Sequence, residues 1–97
     1  MIDVEIDQLV WDEWNVAHIA RHDVAPEEVE EAGRGLPLTS ETYRSRIRVI
    51  GPSAKGRLLT VILSLKGNRT YYPITARSAS RKERVRYDTW KGGEQAA

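Results

Sequence analysis

The stretch YYPITARSASRKERVRY, residues 71–87, packs a strand, a turn and the opening of a helix into one short segment. Tyr71, Tyr72, Ile74 and Thr75 are aromatic or β-branched and suit a pleated, half-buried surface. Ser80 and Glu83 have the spacing of a capping box, in which the serine hydroxyl accepts from the third helical N–H and the glutamate reaches back to the cap N–H. The segment thus delivers Arg77 at the end of a strand, one short loop before a helix N-terminus whose free N–H groups favour anions. Arg81, Lys82, Arg84 and Arg86 follow on that helix. Strand, arginine, capped helix and basic helix surface together suit a polyanion.

Working towards the N-terminus, residues 66–68 (Lys-Gly-Asn) make a hairpin connection, and residues 57–65 are apolar on both faces, as a central strand is. Pro73 cannot donate to a ladder, so the strand over 70–76 is an edge or is locally bulged. Residues 51–56 (GPSAKG) are turn-rich. Residues 43–50 alternate, with Tyr43, Ser45, Ile47 and Val49 on one side and Arg44, Arg46, Arg48 and Ile50 on the other.

Further back, residues 33–42 have the composition of a loop. Pro26 opens a short helix, with Glu27 and Glu28 in its first turn and Val29 and Ala32 on its buried side. Asp12 caps an earlier helix to His22, with Val16, Ile19 and Ala20 at helical spacing. Residues 2–11 form a first strand, in one piece or two. The helix from Ser80 is expected to end near Trp90. The sum is an α+β fold: two N-terminal helices packed on a three- to four-stranded antiparallel sheet, with a C-terminal helix. It forms a single domain over residues 1–91, followed by a flexible tail at 92–97.

Ninety-seven residues, 40% apolar and 30% charged, make one globular domain with a modest core. No apolar run approaches membrane-helix length, and the acidic start does not resemble a signal peptide. The lack of cysteine excludes disulfides and thiolate metal sites and suits the cytoplasm. The net charge of +1 hides a division. Residues 1–42 carry two basic and eleven acidic side chains, a net −9; residues 43–97 carry thirteen basic and three acidic, a net +10. Such polarity points to nucleic acid or an acidic partner. The alternative is that the two halves neutralise each other across a folded surface.

Four segments together resemble the BrnT family: WDExxxxHIARHxVxxEEVEEA at 11–32, RxxxxG at 46–51, GRLLxV at 56–61 and ITARxAxxxExxxY at 74–87. The likeness spans roughly residues 9–87. BrnT proteins are ribonuclease toxins of type II toxin–antitoxin pairs, with a RelE-like fold, neutralised by a DNA-binding BrnA antitoxin. The resemblance implies RNA as substrate, cleavage without a metal or other cofactor, inhibition of translation and a BrnA-like partner. The assembly would be a homodimer or a toxin–antitoxin hetero-oligomer, with no membrane involved. Arg21 stands where family members often carry a lysine; it keeps the charge but cannot exchange a proton near neutrality.

Metal-free RNA cleavage needs a base for the 2′-hydroxyl, donors for the phosphorane oxygens and an acid for the leaving 5′-oxygen. Arg46 and Arg77 are the expected catalytic donors, since a planar guanidinium matches two phosphate oxygens. His22 is the expected proton-transfer group; the alternative is a helix-ending histidine bonding the last carbonyls. Arg21, Arg48, Tyr71, Arg81 and Lys82 are expected on RNA, with Tyr71 able to stack on a base, whereas Tyr72 is placed in the core. Tyr87 stays open between the two roles, and Glu83 is a capping residue. His18 and His22 share a helix face, but nothing nearby completes a metal site. The competing reading is a non-catalytic nucleic-acid- or partner-binding module that keeps the toxin fold.

Overall fold

The computed structural model describes residues 4–96, so residues 2 and 3 of the expected first strand and residue 97 of the expected tail lie outside the described region. The chain runs β1 (Gln8–Leu9), α1 (Glu13–Ala20), α2 (Pro26–Arg34), β2 (Leu38–Thr42), β3 (Arg46–Pro52), β4 (Leu58–Gly67), β5 (Thr70–Ser78) and α3 (Arg81–Ala96). The class is α+β, as the sequence indicates. The sheet, however, has five strands in the order β1-β5-β4-β3-β2, and it is mixed, because β1 pairs parallel to β5. This corrects the expected three- to four-stranded antiparallel sheet.

The additional strand β2 occupies the second half of the segment expected to be a loop. It pairs antiparallel with β3 from Leu38↔Ile50 to Thr42↔Arg46. The strand expected over 43–50 therefore begins only at Arg46. Residues 43–45 are the hairpin turn, with Arg44 and Ser45 at φ 64° and 58°. Arg44 lies over the Tyr43 ring, 5.8 Å from its centroid, instead of lining a strand face.

Alternation assigns the two faces of the sheet. Val49, Val61 and Ala76 are cross-strand neighbours, and they share a core with Ile19 of α1 and with Val29 and Ala32 of α2. Ile50, Thr60 and Arg77 form the adjacent row and point the other way. There α3 covers Ile50 and Leu58 with Tyr87 and Trp90. Helices thus sit on both faces, α1 and α2 on one and α3 on the other.

Local chemistry explains the joints. Asp12 caps α1 reciprocally with Asn15, and the fully buried Asn15 amide also donates to the carbonyls of Val10 and Pro73. Glu28 accepts from the Ala25 N–H at the start of α2. Gly51 lets α2 close on the sheet: a Cβ built there would lie 2.5 Å from the Ala32 carbonyl oxygen. Ser80 and Glu83 bond each other's backbone N–H, so the expected capping box starts α3. That helix continues past Trp90 to Ala96. Among the described residues, no helix is long and apolar enough to cross a membrane.

Candidate nucleic-acid interface

The register of β3, β4 and β5 determines which side chains meet. Arg48, Ile62 and Thr75 form one cross-strand row, and Ile50, Thr60 and Arg77 form the next on the same face. Arg46 pairs with Ser64, which pairs with Tyr72, a further row along. Arg46, Arg48 and Arg77 therefore share one face, and α3 covers only its Ile50 end. Arg48 and Arg77 stand two strands and one row apart, about 10 Å across and about 7 Å along the sheet. Arginines anchored that far apart on the sheet suit several phosphates along a strand better than they suit a single phosphate.

The bulge in β5 decides which tyrosine joins this face. Leu63 pairs with Pro73 but Ile62 pairs with Thr75, so Ile74 is an extra residue with no partner of its own. Pro73 is thus both bulged and, beyond the two-residue β1, on an edge, as its missing N–H requires. The inserted residue inverts the alternation. Tyr71, which the sequence groups with Thr75 and Arg77, turns into the helix-side core and is 8% exposed. It offers no ring for a base, which corrects its expected RNA-binding role.

Tyr72 takes its place. It is half-buried on the arginine face instead of lying in the core, its hydroxyl is 3.0 Å from both Asp12 oxygens, and Lys66 lies over its ring at 5.2 Å. Burial first, and then the Asp12 carboxylate, push the Tyr72 phenol above its usual range. The backbone N–H of Asn15, with help from that phenol, holds Asp12 below its own.

Arg77 is not a free cation. Its two terminal nitrogens donate to the two Glu83 oxygens at 2.7 and 3.0 Å. Glu83 also accepts from the Thr60 hydroxyl at 2.9 Å and from the Ser80 N–H at 2.7 Å. These donors, Arg77 first among them, lower the Glu83 carboxyl to about 2 against the cost of burial. Spacing reveals the cap but not the clamp, since only the register brings Thr60 and Arg77 to the same carboxylate. Thr60 and Glu83 are the residues at this site that sequence reasoning assigns no such role.

Arg46 and Arg48 are half-buried and form no ion pair among the described residues; the Arg48 Nε is buried without a partner. Arg81 and Lys82 are exposed in the first turn of α3, ahead of Arg84 and Arg86, and these four likewise form no ion pair among the described residues. The acidic and basic halves of the chain do meet, through Arg57–Glu28 at 3.2 Å and through Arg69 with Glu5 and Asp7 at 2.6 and 3.1 Å. Among the described residues, Arg46, Arg48 and the basic start of α3 are left without an ion pair, whereas Arg77 is paired with Glu83.

His22 is not part of this constellation. It follows α1, whose Ile19 packs into the core on the opposite side of the sheet, and its ring contact is with His18 at 5.9 Å. The expected grouping of His22 with Arg46 and Arg77 is therefore corrected. Arg21, the C-cap of α1, belongs to the same outer region and likewise stands apart from the arginine face. A concavity of about 370 Å³ between the α1–α2 turn and Arg57 mixes Asp23 and Glu28 with Lys55 and Arg57, and it too lies away from that face. No group of three or more metal-ligating side chains occurs among the described residues. Compared with known proteins, the chain matches no protein-family model and no curated protein.

Proposed function

We propose that the chain is a ribonuclease toxin of the BrnT kind, with a RelE-like fold and a cytoplasmic site of action, whose RNA-binding surface is the face carrying Arg46, Arg48 and Arg77. The observation that carries this reading is the placing of three arginines from two non-adjacent strands on one incompletely covered sheet face, flanked by the basic start of α3, which forms no ion pair among the described residues. Arginine forks hold phosphate oxygens in pairs, and a basic groove with an aromatic neighbour, here Tyr72, is the common pattern for single-stranded RNA. A BrnA-like antitoxin would neutralise the protein by covering this face.

The proton-transfer role expected of His22 passes to Glu83. As it stands, this carboxylate is a weak base because Arg77 holds its pKa near 2. An RNA phosphate that draws Arg77 away would restore basicity to Glu83 at the place where phosphate is bound. Glu83 then takes the 2′-hydroxyl proton, the 2′-oxygen bonds to phosphorus, and the bond from phosphorus to the 5′-oxygen breaks. Solvent protonates the departing oxygen, leaving a 2′,3′-cyclic phosphate and a 5′-hydroxyl.

The second reading, an RNA-binding module without catalysis, is favoured by one observation: Glu83 already serves Thr60, Arg77 and the Ser80 cap. Incubation of pure protein with RNA, alongside expression in a bacterial host, separates the two. Growth arrest and cyclic-phosphate ends that vanish in Arg77→Ala support the nuclease. Binding with no product from folded wild-type protein supports the module, and neither binding nor product overturns both.

A further inference from the structure

The outer face of α1 is unlike that of an ordinary surface helix. Asn15 and Ile19 are its buried residues. At 100° per residue, the opposite side centres on Ala17, with Glu13 and Arg21 one turn to either end and Ala20 and Trp14 flanking it. All five are exposed, and Trp14 is 56% exposed. Trp14 is held in place by its stack on His18, 4.8 Å between ring centres and 8° between planes. Glu13 and Arg21 form no ion pair within the chain among the described residues.

This stripe is complementary to itself. A two-fold axis through Ala17 that packs α1 antiparallel on a second α1 brings Glu13 level with Arg21 of the second copy, twice over by symmetry. It also brings Trp14 level with Ala20 of the other copy, and the small side chains Ala17 and Ala20 at the crossing let the helices approach closely. A parallel pairing would instead set Glu13 against Glu13 and Arg21 against Arg21. Charge, size and symmetry thus agree on one arrangement. Trp14 is already ordered by His18, so little side-chain entropy is lost when a partner covers it.

We propose that the outward face of α1 is a homodimer interface, formed by antiparallel packing against α1 of a second copy of this chain. It rests on α1 alone and does not depend on the RNA reading. The two arginine faces stay uncovered, because α1 packs on the other side of the sheet. An interface centred on one short helix falls below the roughly 800 Å² per partner of a stable complex, so the dimer is reversible and concentration-dependent.

Sedimentation velocity of the full chain from micromolar to millimolar concentration tests this. Wild-type protein should pass from monomer to dimer. Glu13→Arg and Arg21→Glu should each weaken association by about tenfold or more, since each replaces two attractions with two repulsions. Neither variant should dimerise alone, yet an equimolar mixture should form a one-to-one complex, and the double exchange in one chain should restore the homodimer. Trp14→Ala should also weaken association while circular dichroism shows the fold retained. A wild type that stays monomeric, a dimer indifferent to the charge reversals, or a mixture of the two variants that stays monomeric overturns the proposal.

Discussion

At the scale of single residues, Glu83 sets the acid limit of the fold. Its carboxyl is ionised in the folded protein down to about 2, against an ordinary value of 4.5. A depressed folded pKa contributes stability that is complete above the unfolded value and fades as pH falls through the folded one. Urea denaturation should therefore show stability falling between about pH 4.5 and pH 2 by on the order of 2 kcal/mol, after allowance for the exposed Arg77 side. Glu83→Gln should lower stability at pH 7 and flatten that part of the profile. Gly51 makes a second test at this scale. A Cβ 2.5 Å from the Ala32 oxygen forces α2 off the sheet, so Gly51→Ala should cost about 1–3 kcal/mol in the same assay.

At the scale of elements, the turn between β2 and β3 holds two non-glycine residues at positive φ, Arg44 and Ser45. Each such residue is strained by roughly 1 kcal/mol. Replacing the pair with Asn-Gly should raise stability by about 0.5–1 kcal/mol, measurable as a higher melting temperature with unchanged RNA binding. The same turn shows why part of the sheet is hidden in the sequence. Arg-Ser carries no turn signal, and Leu38-Thr-Ser-Glu-Thr is polar enough to pass for a loop, so β2 was invisible and β3 looked longer than it is. The bulge at Ile74 is only half legible. Pro73 announces an irregularity, but not that the inserted residue sends Tyr71 inwards and Tyr72 outwards. The Ser80–Glu83 cap and the Arg46/Arg48 alternation were readable because both depend on near neighbours. The place of His22 was not, because the side of the sheet that α1 occupies is set by packing between distant segments.

At the scale of the whole molecule, the division of charge along the sequence becomes a division in space. The acidic helices α1 and α2 lie on one side of the sheet, and the arginines of β3 and β5 with the start of α3 lie on the other. Arg57 and Arg69 bridge to the acidic half, whereas Arg46 and Arg48 make no ion pair among the described residues. If the arginine face binds phosphates in succession, affinity for RNA should fall linearly with salt on logarithmic axes, with a slope of about −0.7 per contact for a single strand. The most direct measurement is fluorescence anisotropy of a labelled single-stranded RNA titrated with wild-type protein and with an Arg46→Ala/Arg48→Ala variant over a range of salt. The expected result is affinity lowered by about tenfold or more in the variant at low salt and a slope shallower by about 1.4, with melting behaviour unchanged. Equal affinity and equal slope for the two proteins, or no binding by the wild type, would contradict the assignment of this face to RNA.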